Sequence, residues 1–97
     1  MKEISEEKKI SENLKKSCSF YEVLWSRYDK ATGSLMGDGY LDKKYLTLKD
    51  AVCAISHKTK EGILLKTTYT IVGWKKEKNA FVSCCVWNEE KKILEAI

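Results

Sequence analysis

The chain reads as an α+β domain: a single antiparallel sheet of about four to five strands with helices on one face, in the order α-β-β-α-β-β-β. Three observations predict it. Aromatic and β-branched residues crowd the segments Phe20–Tyr28, Ile63–Trp74 and Ala80–Trp87, as residues do that fit a pleated, half-buried surface. One capped amphipathic helix interrupts them at about Leu48–Lys60. Short charged or glycine-bearing turns join neighbouring strands, which suits hairpins and leaves one sheet face for helices.

In chain order, residues 3–17 are strongly charged, with Ile4, Ile10 and Leu14 as the large apolar positions. They predict a short helix with a thin apolar stripe, docked loosely as residues 1–18 on a domain of residues 19–97. Phe20–Tyr28 predicts a strand. Asp29-Lys-Ala-Thr-Gly33 is a tight turn with glycine where positive φ is needed. A looser strand covers Ser34–Leu41, and Gly37 and Gly39 around Asp38 predict a bulge or a close approach.

Thr47 is a natural N-cap with Asp50 at N3, followed by Leu48, Ala51, Val52 and Ile55 on one helical face. His57, Lys58 and Lys60 suit the C-terminal end, and Gly62 the stop. Ile63–Trp74 alternates: Ile63, Leu65, Tyr69 and Ile71 take the helix face, and Lys66, Thr68, Thr70 and Trp74 the other. In Ala80–Trp87, the set Val82, Cys84 and Val86 is expected to face the helices. Ser83, Cys85 and Trp87 then join Trp74 on the open face. Ile93–Ile97 predicts a last short strand.

Composition narrows the function classes. The 97 residues suit one domain, and 43% hydrophobic with 33% charged content suits a globular chain. No apolar run approaches the roughly 18 residues of a membrane span. The charged start lacks the apolar stretch of a secretory signal, so a cytoplasmic location is expected. Adjacent Cys84 and Cys85 make a secreted disulfide framework the weaker reading. Seventeen lysines stand against Arg27 as the lone arginine, which argues against base-specific DNA reading and only faintly for polyanion contact.

Catalytic and metal chemistries find little purchase. Cys53 and His57, four apart on the helix, have a metal-competent spacing and could draw on Cys18, Cys84 and Cys85. Adjacent strand residues point to opposite faces, so Cys84 and Cys85 are not expected to share an ion. No C-x-x-C occurs. No metal, no cofactor and no catalytic residue is therefore expected. A Cys53–His57 nucleophile pair would also need an orienting group that the sequence does not offer. Met36-Gly-Asp-Gly-Tyr40 lacks the context of a phosphate-binding loop.

The aromatic residues carry the functional expectation. Trp74 and Trp87, with Trp25 beside them, are expected to form an open sheet face edged by Lys66, Lys75 and Lys76. Such a face suits the anchors of a protein interface. In size, lysine richness and lack of a catalytic constellation the chain is similar to small accessory proteins of phages and mobile elements. That likeness is one of style and aligns no residues. It implies a non-catalytic inhibitor or adaptor that occupies a larger protein, in stoichiometric amounts, or pairs as a homodimer through a strand edge or the aromatic face. The alternative is a single-stranded nucleic-acid platform using the same face.

Overall fold

The structure, a computed structural model, describes residues 6–56 and 63–97. Among these residues it shows two helices and a five-stranded antiparallel sheet: α1 (Glu6–Ser17), β1 (Phe20–Asp29), β2 (Leu35–Tyr45), α2 (Leu48–Ser56), β3 (Leu65–Glu77), β4 (Ala80–Asn88) and β5 (Ile93–Ala96). The spatial order is β2-β1-β3-β4-β5. The β1–β2 hairpin places β2 at one edge, and α2 carries the chain back so that β3 can pair with the other side of β1. This is the α+β order read from the sequence.

The local signals act as expected at three places. Gly33 sits at φ 75° and closes the β1–β2 turn, where Asp29 Oδ1 accepts from the Ala31 amide at 2.8 Å. Thr47 Oγ1 caps α2 by accepting from the Asp50 amide at 3.2 Å. Gly37 and Gly39 lie under the Trp25 indole, where an added Cβ at Gly39 would stand 3.2 Å from it. The close approach expected around Asp38 is therefore made by Trp25.

β3 departs from its expected bounds. Ile63 and Leu64 precede the strand and are exposed, while Lys75, Lys76 and Glu77, expected as a turn, continue the ladder opposite Val82, Phe81 and Ala80. Pairing as far as Glu77 leaves a two-residue connection, Lys78-Asn79, with Lys78 at φ 57°. The expected helix segment 57–60, with His57, and the Gly62 stop lie outside the described residues.

The main core lies between the sheet and the helices. Tyr21 and Val23 of β1, Ile71 of β3, Cys85 of β4, Leu94 of β5, and Ala51 and Ile55 of α2 form one buried cluster, with Leu14 of α1 packed against it. Register explains the membership, because directly paired residues share a face: Val23 opposes Ile71, and Trp87 opposes Leu94.

α1 does more than cover apolar surface. The buried Ser11 hydroxyl accepts a 2.8 Å hydrogen bond from the Leu94 amide, an outward-facing group of the β5 edge. A strand edge left open is a template for unwanted pairing; here the helix lies along it. Lys91 pairs with Glu7 across the same junction at 3.3 Å. A Ser11→Ala substitution should leave a buried amide unpaired and cost about 1–3 kcal/mol. Urea denaturation should show a clearly larger loss than for Ser17→Ala, whose exposed hydroxyl bonds only within its own helix. Equal losses would mean that α1 does not seal this edge.

Candidate functional site

Two clusters of side chains stand out, and one irregularity in the sheet produces the separation between them. Gly73 of β3 opposes Cys85, but the next residue, Trp74, opposes Ser83. Cys84 is thus the extra residue of a β-bulge. Before it, β4 alternates as the sequence suggests. After it, the alternation is inverted: Val86 opposes Val72, and Cys85 and Trp87 turn to the helix side.

The first cluster occupies the sheet face away from the helices. Phe20 stacks on Trp74 with centroids 6.2 Å apart and meets Phe81 edge-on at 5.0 Å. Tyr40 meets Trp74 edge-on at 5.9 Å. Lys44 Nζ lies 4.7 Å over the Phe20 ring. Phe20 is buried although it is outside the main core, whereas Tyr40 and Phe81 are 44% and 48% exposed. The Trp74 indole N–H is buried and finds no acceptor among the described residues.

Of the residues expected on this face, the structure brings together only part. Trp74, Lys66 and Lys76 do share it, since Lys66 opposes Tyr28 and Lys76 opposes Phe81. Trp87 does not. It packs against the main core, and its indole N–H donates to Glu89 at 2.6 Å. Trp25 is on the face of Val23, beneath Arg27, whose guanidinium lies 5.5 Å from the ring. Lys75 opposes Val82 on the helix side and pairs with Glu77 at 3.7 Å. Phe20, Tyr40, Phe81 and Lys44 complete the cluster but were not among the expected anchors. Tyr40 and Lys44 belong to the part of β2 beside and beyond Leu41, where the sequence pattern gives no clean alternation.

The second cluster is made of thiols. The Cys18 sulfur, just after α1, lies 3.5 Å from those of Cys84 and Cys85, which are 3.8 Å from each other. The expectation that Cys84 and Cys85 point to opposite faces fails here, because the bulge removes the strict alternation on which it rested. Gly73 makes room for the group: an added Cβ would stand 2.5 Å from the Cys85 sulfur and 2.6 Å from that of Cys18. Cys84 also donates to the Gly73 carbonyl at 3.5 Å.

Burial pushes the thiols of Cys18 and Cys85 and the phenol of Tyr21 up from their usual ionisation range. Desolvation penalises the charged form in each case, and the neighbouring groups of the cluster add to the shift of Tyr21 and Cys85. Cys53 stands apart. It is exposed and lines a groove with Lys43, Lys44 and Tyr45, away from the three clustered thiols. His57 lies outside the described residues.

A comparison with protein-family models, curated proteins and solved structures finds no match to this chain. Among the described residues, no helix is long and apolar enough to cross a membrane.

The raised thiols and phenol give stability a pH dependence of definite sign. A group whose folded pKa is raised contributes stability that is fully present below its unfolded pKa and is lost as pH rises toward the folded value. For cysteine the loss begins near about pH 8.5, and for tyrosine near about pH 10. With reductant and chelator present, the urea midpoint should fall steadily above about pH 8.5. The fall should shrink when Cys18 and Cys85 are both replaced by alanine. A midpoint level to pH 10 would show that these groups ionise as freely in the fold as outside it.

Proposed function

We propose that this chain is a non-catalytic protein-binding module that acts by occupancy, as a stoichiometric inhibitor or adaptor, and that its contact surface is the Phe20–Tyr40–Trp74–Phe81 face. The observation that carries the reading is a contiguous aromatic cluster on the sheet face opposite both helices, with two of its rings about half exposed. Aromatic side chains set in a packed patch supply much of the energy of protein interfaces. At its centre the Trp74 ring stacks on Phe20 and meets Tyr40 edge-on, which holds the patch in one arrangement.

The charge on this face favours a protein over a nucleic acid. Lys44, Lys66 and Lys76 share it with Glu22, Asp38 and Glu95, as the pairs Glu22–Lys44, Ser26–Asp38 and Val86–Glu95 show. A strand-binding groove needs a run of positive charge to neutralise successive phosphates. Mixed charge around an apolar centre instead resembles the rim of a protein interface. The β2 edge is a poorer contact surface: its register with β1 shifts twice, and irregular edges disfavour strand addition.

The test is capture of a partner by tagged protein, with and without nuclease, beside a Tyr40→Ser/Phe81→Ser variant. Both rings are exposed enough to be replaced without emptying the main core. The reading expects one stoichiometric protein that survives nuclease and moderate salt and loses about 2 kcal/mol or more of affinity in the variant. Loss of all binding on nuclease treatment would replace it with the nucleic-acid platform. A self-association abolished by the same double substitution would make a second copy of the chain the occupant, and would equally overturn it.

A further inference from the structure

We infer that Cys18, Cys84 and Cys85 form a three-thiolate site for a single Zn(II) ion, with a fourth position left to a water or small anion from the adjoining surface pocket. A tetrahedral zinc with Zn–S bonds of about 2.3 Å holds its sulfurs about 3.8 Å apart. The three separations here are 3.5, 3.5 and 3.8 Å, so the sulfurs need to move by only a few tenths of an ångström to admit the ion. These are the only three metal-ligating side chains grouped in this way among the described residues.

The surroundings are those of a site as well as of a core. The bulge at Cys84 turns two consecutive sulfurs to one side, an arrangement a regular strand cannot make. Gly73 leaves the space that a side chain would take from two of the sulfurs. Tyr21 lies beside Cys18, and its hydroxyl donates to the Lys15 carbonyl at 3.5 Å, so it closes one flank of the cluster. Cys18 also lines a pocket of about 250 Å³ with Lys15, Tyr21, Thr47 and Lys49. The pocket provides access for the ion and room for the fourth ligand.

Charge and protons balance. Binding forms three S–Zn bonds and releases the three S–H protons to solvent, which leaves the site with a net charge of −1 before the fourth ligand. Lys15 and Lys49 line the pocket where that charge would be felt. Thiolates are soft ligands that select zinc, copper(I) and iron–sulfur chemistry over magnesium or calcium. The separations are compatible with tetrahedral zinc, the member of that group taken here as the occupant. The ion would tie the end of α1 to β4, two elements that the sheet ladder does not connect.

The experiment uses full-length protein, stripped of metal and fully reduced, titrated with Zn(II) against a chromophoric chelator and separately with Co(II). The inference expects one equivalent bound, a rise in the thermal midpoint on adding zinc, and proton release seen as buffer-dependent heat. It also expects a sulfur-to-cobalt charge-transfer band with the intense visible bands of tetrahedral Co(II). Cys18→Ser or Cys84→Ser should weaken binding by about 100-fold or more, while Cys53→Ser should leave it unchanged. If a serine variant fails to fold, the cobalt spectrum of the unsubstituted protein decides alone. Absence of the charge-transfer band, zinc binding that persists without Cys18, or binding lost with Cys53 would overturn the site. So would a disulfide among the three cysteines that resists glutathione-level reductant.

Discussion

A single extra residue in β4 organises most of what is distinctive in this molecule. With Cys84 inserted opposite the Gly73–Trp74 step, the two halves of the strand present opposite phases to the same sheet. The first half keeps Phe81 and Ser83 on the outer face with Trp74. The second half sends Cys85 and Trp87 into the helix-side core, where Cys85 is fully buried and Trp87 packs against the buried cluster. Without the bulge, either the outer aromatic cluster or the main core would lose its contribution from β4. A one-residue change of register moves every later side chain to the other face, so this position constrains both surfaces at once.

The two faces then divide the work of folding and of contact. The helix-side core has the composition of an ordinary small domain, with α2 over the centre of the sheet and α1 along the β5 edge. The outer face has a second, smaller cluster that buries Phe20 and leaves Tyr40 and Phe81 partly exposed. A chain of this size buries about 60–70% of its unfolded surface, so aromatic area left outside is area not used for stability. The two tryptophans flanking the bulge show the contrast. Trp87 satisfies its indole N–H with Glu89, whereas the buried Trp74 N–H finds no acceptor among the described residues.

Much of the architecture was legible in the sequence because it rests on local chemistry. The Thr47 cap, the Gly33 turn and the apolar alternation around Tyr69 and Ile71 each have a short-range cause, and the structure shows each in place. The aromatic face was legible only in half. Trp74 was placed correctly because β3 keeps its alternation, but Trp87 was assigned to the same face by counting through Cys84 and Cys85 without a break. The thiol cluster was missed for the same reason. Its one sequence signal was Gly73 in the middle of an apolar strand, since an interior glycine often marks a bulge or a close approach. Adjacent cysteines opposite that glycine give the signal meaning only once the register is known.

The bulge sends Trp74 and Trp87 to opposite faces of the sheet. Proton–proton Overhauser contacts of the indole rings, measured on the folded protein, test it most directly. Contacts are expected from Trp74 to Phe20 and Tyr40, and from Trp87 to the Leu94 methyl groups, with no ring touched by both indoles. Contacts from both indoles to Phe20, Tyr40 or Phe81 would place them on one face. That result would remove the bulge, and with it both the thiol cluster and the division of the two surfaces.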